Sequence, residues 1–180
     1  MEKSLKGIYH IIGFGLVLML IFQITTFKFD YYKSKDYTLS GPTTKEIEER
    51  LQCLAINIYR EAGKEPFEGK VGVAQVTLNR SNDPRFPKDI CSVVYQKNII
   101  MKKVVCQFSW YCDNAARARP INNDAYKESY EVAKKVLLEG FRLEVLQDAL
   151  YFHAIHINPN WKHLRVAKIG NHIFYNERQR

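Results

Sequence analysis

The sequence predicts an α+β domain preceded by an N-terminal transmembrane helix, and three observations carry that expectation. Apolar residues recur at helical spacing from residue 43 to about residue 138. Past residue 149 they alternate at the period of a strand. Residues 7–27 contain no Asp, Glu, Lys or Arg. Helices first and a small antiparallel sheet afterwards describe an α+β core. At 180 residues the chain has room for one such core and a short appendage.

The appendage comes first. As a helix, "GIYHIIGFGLVLMLIFQITTF" would span roughly 30 Å, about one hydrocarbon core. Lys3 and Lys6 precede it, so the positive-inside rule keeps residues 1–6 in the cytoplasm and sends the chain after Phe27 to the periplasm or cell-wall side. No small-x-small pattern near "QITTFKFDYY" marks a cleavage site, so the segment reads as an uncleaved signal anchor. Residues 28–42, "KFDYYKSKDYTLSGP", are polar and end in Gly41-Pro42, which describes a tether. The globular domain is then expected over 43–180, as a monomer.

Four cysteines, Cys53, Cys91, Cys106 and Cys112, suit an exported domain, where an even set can pair. Cys106 and Cys112 are the first pair to test. A zinc site competes, but the set lacks a C-x-x-C. The net charge is +8, of which about +6 falls beyond residue 40. Such a domain suits anionic partners such as wall polymers or lipid head groups. Nucleic acid is disfavoured, because no basic run with interleaved aromatics is present.

Along the domain, Thr43 followed by Glu46 is a capping-box pattern that starts a helix at Thr44, with Gly63 as its stop. A second helix is expected over 66–80, with Pro66 in its first turn. Gly69 and Gly72 inside it cost about 1 kcal/mol each relative to Ala, for which close approach of the first helix is the expected compensation. A short helix is expected over 88–96, and another over 124–138 with Tyr126, Tyr130, Ala133 and Leu137 on one face. "ALYFHAI" reads as a strand, and "RVAKIGNHIFYN" as a hairpin turning at Gly170-Asn171.

One carboxylate stands out. The apolar stripe Ile47, Leu51, Leu54, Ile58 continues at helical spacing into Glu61. Burial and the unpaired carbonyls of the last helical turn both disfavour its charge, which raises its pKa toward the range a general acid needs. The plain alternative is a helix-end Glu turned to solvent or paired with Arg60 or Lys64.

The block "YREAGKEPFEGKVGVAQVTLNR" resembles the E-A-x-x-E-x-x-x-G-x-x-x-V-x-x-V-x-x-N-R opening of the SleB/CwlJ type of cell-wall hydrolases, known from spore-cortex lysis. "VVYQ", "CQFSWYCD", "ALYFHA", "NPNW" and "KIGNHIFY" follow in the family's order, so the resemblance runs from about Leu51 to Tyr175. It implies a lysozyme-like helical domain, related to lytic transglycosylases, acting on peptidoglycan glycan strands without a cofactor. It also implies that the catalytic glutamate is Glu61. Two departures, the long basic segment "KNIIMKKVV" and Asn114 where a Gly is common, bear on the rim of the groove.

Cleavage of the MurNAc–GlcNAc bond by hydrolysis needs a second acid, whereas a lytic transglycosylase needs one, because the sugar's own 6-hydroxyl attacks. Glu65 is the candidate second acid, but Gly63 and Pro66 end the helix between them, so Glu65 is expected to orient the turn. The single-acid route is therefore preferred. Gln107, Phe108, Ser109 and Trp110 are candidates for sugar contact from a loop, with Phe108 equally a packing anchor. Tyr151 and His153 alternate with Leu150 and Phe152, and the resemblance favours the first pair for the groove. Trp161 is either a stacking platform or a core plug. Four histidines, His153, His156, His163 and His172, invite a zinc amidase or metallopeptidase reading, but H-x-x-H lacks the intervening carboxylate of H-E-x-x-H. A tethered wall-binding protein without turnover is the non-enzymatic alternative.

Overall fold

A computed structural model describes residues 13–27 and 41–177. Residues 13–27 form helix α1; among the described residues no helix is long and apolar enough to cross a membrane. The uncharged run begins at residue 7, so its first part and most of the 28–42 segment lie outside the described residues. The chain divides into two units, Met1–Gly41 and Pro42–Arg180.

Helix α2 (Thr44–Ala62) begins at a complete capping box. The Thr43 hydroxyl accepts from the Glu46 amide at 3.3 Å, and the Glu46 carboxylate accepts from the Thr43 amide at 2.6 Å. Its stripe of Leu51, Leu54, Ala55 and Ile58 is buried. Helix α3 (Phe67–Asn82) follows Pro66 and is buried almost all round, from Gly69 to Leu78. A helix buried on nearly every side lies in the middle of a fold. Here α3 packs on α2, α4 (Ile90–Val94) and α7 (Asn123–Leu137) on one side, and on the sheet on the other. The compensation for Gly72 therefore differs from expectation: a Cβ there would meet Phe174 Cζ at 2.5 Å, a sheet side chain, and one at Gly69 would meet Glu65 Cβ at 2.8 Å.

Three elements depart from the sequence expectation. Helix α4 is shorter, because Asp89 caps it by accepting from the Ser92 amide at 2.9 Å. Helix α7 is turned slightly: Ser129, Val132, Ala133 and Val136 are buried, while the expected Tyr126, Tyr130 and Leu137 are half-buried against the same core. Ser129 is tolerated there because its hydroxyl donates to the Ala125 carbonyl, while Tyr130 reaches outward to donate to Glu48 at 2.7 Å. The segment "KNIIMKKVV" contains a hairpin, β1 (Lys97–Ile100) with β2 (Lys103–Cys106), that no turn signal announces. Its turn residues Met101 and Lys102 both have positive φ, 49° and 65°, where Asn or Gly is the usual choice.

Short helices α5 (Ser109–Cys112) and α6 (Asn114–Ala118) follow, and the disulfide Cys106–Cys112 ties α5 to β2. A second disulfide, Cys53–Cys91, joins α2 to α4. The C-terminal sheet has the order β3-β5-β4, all antiparallel, from β3 (Tyr151–Ala154), β4 (Leu164–Ile169) and β5 (His172–Asn176). The β4–β5 turn is Gly170-Asn171, with Gly170 at φ 55°. Apolar packing falls into one cluster among the helices, including Phe108 and Trp110, and a smaller one of Val76, Leu146, Ala149 and Phe174 beneath the sheet.

Candidate active site

The end of α2 and the chain that follows it form one wall of a cleft of about 620 Å³, from Tyr59 to Glu65; Trp110 and residues of the α6–α7 connection, including Arg119, Pro120 and Asn122, form the rest. Glu61 lies on this wall because it continues the buried stripe of α2. Half-buried, it makes no hydrogen bond or ion pair with any described residue, and burial pushes its pKa up to about 7 despite the opposing charge of Arg80.

Arg80 is the buried cation behind this arrangement. Its Nε donates to the Leu150 carbonyl at 2.8 Å, and its guanidinium lies over the rings of Phe86 and Phe108, at 5.5 and 5.1 Å. Oriented with its oxygen toward Arg80, the Gln107 amide accepts from Nη1 at 3.2 Å and Nη2 at 3.3 Å. Burial lowers the Arg80 pKa to about 10, with Tyr151 and Glu61 acting the other way, so the group remains charged at neutral pH. The sequence holds only a weak signal for it: Arg80 follows the largely apolar run Val71–Leu78 in the last turn of α3.

Glu65 also lines the cleft, but its carboxylate is occupied. Oε2 accepts from the Asn171 amide at 2.8 Å and Oε1 from the Asn171 side chain at 3.1 Å. Burial raises the Glu65 pKa, but these bonds, with the charges of His172 and Lys70, outweigh it and leave the group below its ordinary value. The turn is built for this contact: a Cβ at Gly170 would lie 2.1 Å from Glu65 Oε2.

The other residues singled out by sequence are dispersed. Trp110 lines the cleft, yet its Nε1 donates to the buried Asn57 Oδ1 at 3.0 Å, so it also braces α5 against α2. Phe108 is buried in the core, Gln107 faces Arg80, and Ser109 is exposed; none of the three lines the cleft. Tyr151, His153 and Trp161 gather on the sheet instead, with His163 and Tyr175. Tyr151 stacks on His163 at 4.0 Å, Trp161 meets Tyr151 and His153 edge-on at 6.1 and 5.5 Å, and His153 Nε2 lies 2.8 Å from the Tyr175 hydroxyl. Leu150 and Phe152 turn to the opposite side, where Phe152 packs on Phe108, His172 and Phe174. Among the described residues, no three His, Cys, Asp or Glu side chains group as metal ligands.

Residues 64–175 match the Cell Wall Hydrolase family. The chain belongs to this family. The match begins three residues beyond Glu61, so the family's matched span contains Glu65, Arg80, Trp110 and the sheet cluster of this cell wall hydrolase. Similar curated proteins are the spore cortex-lytic enzymes of Bacillus subtilis, 27% identical over 69% of this chain and 36% of that protein, and of Oceanobacillus iheyensis, 30% identical over 69% and 40%. The chain thus aligns with well under half the length of these relatives. Among solved structures, the catalytic domain of the germination-specific lytic transglycosylase SleB from Bacillus anthracis matches at 25% identity and a TM-score of 0.54, covering 76% of this chain and 98% of that one. The SleB catalytic domain from Bacillus cereus matches in fold with the same TM-score, over 94% of its length.

Proposed function

We propose that this cell wall hydrolase cleaves the MurNAc–GlcNAc bond of peptidoglycan glycan strands as a lytic transglycosylase, with Glu61 as its one acid and base. The observation that carries this reading is the state of Glu61: half-buried in a cleft, unpartnered, and poised to hold a proton near pH 7. The protonated carboxyl donates to the leaving glycosidic oxygen, and the resulting carboxylate accepts the proton of the 6-hydroxyl as that oxygen attacks C1. Arg80 offsets the negative charge that Glu61 acquires between the two transfers. The only other carboxylate among the residues lining the cleft, Glu65, is held by Asn171, which supports the single-acid route over two-carboxylate hydrolysis. The relationship to a domain described as a lytic transglycosylase points the same way.

The uncharged run 7–27 anchors the chain in the membrane, with Lys3 and Lys6 on the cytoplasmic side and the domain, acting as a monomer, beyond the membrane. Two disulfides suit that oxidising compartment. The exposed face of Trp161, with Tyr151 and His153, offers an aromatic platform for sugar rings.

The test is mass spectrometry of muropeptides released from purified peptidoglycan by the full chain and by Glu61→Gln. Anhydro-muramyl products that vanish in the variant are expected. Reducing-end sugars would replace the proposal with hydrolysis, and free peptides would replace it with amidase chemistry.

A further inference from the structure

The rim of the cleft is cationic: three cations line it against one ionised carboxylate, Glu65, which Asn171 already holds. Arg60, Lys64 and Arg119 all line the cleft that holds Glu61, and among the described residues none of the three has a carboxylate within ion-pair distance. Some cations elsewhere do reach a carboxylate, as in Lys70–Glu128 at 2.8 Å and Arg85–Glu177 at 2.6 Å, but those pairs lie outside the cleft. Arg60 is fixed in place by backbone: its Nη atoms donate to the carbonyls of Ala116, Arg117 and Arg119 at 2.9, 3.3 and 3.2 Å. Those carbonyls share its protons but carry no countercharge, and its buried Nε has no partner among the described residues. The same bonds hold the backbone of Arg119 beside Arg60, so the two charges belong to one rim. Like charges gathered at a concave, partly desolvated surface raise its potential and draw anions to it.

We infer that this rim is a subsite for free carboxylates carried on the glycan strand. The enzyme's preferred substrate is then a strand whose muramyl groups are ionised rather than amidated or otherwise neutral. This rests on the proposed glycan substrate and adds a determinant of specificity to it. Two sources supply that chemistry: the peptide stems, and the lactyl carboxylate exposed when the stems are removed. Lys64 and Arg119, both exposed, are the side chains free to meet it, while Arg60 holds the rim together.

The experiment separates recognition from turnover. Fluorescent strands of three kinds are prepared: with ionised stems, stripped of stems so that only the lactyl carboxylate remains, and with all carboxyls amidated by carbodiimide and ammonia. Their binding to the full chain carrying Glu61→Gln is measured with and without Lys64→Gln and Arg119→Gln. Cleavage by the parent chain is followed in parallel.

Ionised strands are expected to bind roughly fivefold more tightly than amidated ones, the scale of two partly exposed ion pairs. The preference should shrink as salt shortens the Debye length, and should collapse to about one in the double substitution. Tight binding of stripped strands assigns the lactyl group, and tight binding only with stems assigns the peptide. Equal binding of ionised and amidated strands, or a preference that survives the double substitution, overturns the subsite. Because binding is read without turnover, a parent chain that binds with this preference yet cleaves nothing would retire the enzymatic reading and leave the subsite standing.

Discussion

Arg80 acts on Glu61 through its field without forming an ion pair with it. The separation matters: a direct pair would hold Glu61 ionised, whereas an anchored charge at a distance leaves it able to carry a proton and eases its loss. The basic limb of kcat/KM is therefore expected near pH 7, falling about tenfold per pH unit above it. A pH–rate profile on soluble strands checks this, and an activity unchanged up to pH 9 would remove Glu61 as the acid.

The same shift has a sign in stability. The folded state raises the Glu61 pKa, so it binds a proton that the unfolded chain releases, and stability declines as pH rises from the ordinary carboxylate range through about 7. Glu61→Gln removes this term. The variant is expected to be more stable than the parent above pH 7, by on the order of 1 kcal/mol. Urea unfolding of both proteins at pH 5 and pH 8 measures the difference.

Substituting Arg80 is expected to affect two observables at once. Arg80→Gln strips the Leu150 carbonyl and the Gln107 amide of their donor and should cost about 3 kcal/mol. In whatever fraction folds, the basic limb should move upward, because the charge that lowers the Glu61 pKa is gone. A stability loss with no movement of the limb would confine Arg80 to a scaffold role.

The two disulfides close loops of different length, with sequence separations of 38 and 6. Chain entropy then makes Cys53→Ala with Cys91→Ala the costlier pair, about 4 kcal/mol, against about 2 kcal/mol for Cys106→Ala with Cys112→Ala. The second pair should nevertheless reduce activity more per unit of lost stability, since α5 carries Trp110 to the cleft. Thermal melts and initial rates on both variants decide the ranking.

Trp161→Ala should weaken strand binding roughly three- to tenfold with little change in Tm, because the side chain is 42% exposed and its loss opens no cavity in the core. Titration of Glu61→Gln with and without the second substitution tests it. Unaltered affinity would place the sugar contacts away from this sheet cluster.

What was legible in the sequence follows the range of the interactions. The bounds of α2 were legible because the Thr43–Glu46 box and Gly63 are local signals, and Glu61 was legible because it extends a run of helical spacing. Gly170-Asn171 announced its hairpin for the same reason. The β1–β2 turn did not, since Met101 and Lys102 adopt positive φ without the residues that usually mark it. The slight turn of α7 was hidden because its tyrosines look apolar in a pattern but reach polar partners such as Glu48 on another helix. The far wall of the cleft is made largely by the connection between α6 and α7, and no periodicity describes a connection. Gln107 and Arg80 meet only in three dimensions, so their pairing left no trace in spacing.

The hold of Glu65 on Asn171 spans 106 positions. Synthesis delivers Glu61 and Glu65 well before the Gly170-Asn171 turn, so the wall bearing Glu61 lacks its brace until that turn has been made. A chain truncated before the β4–β5 hairpin carries Glu61 without the clamp on Glu65. Such an order would keep the proposed cleavage silent until that hairpin has folded back onto Glu65.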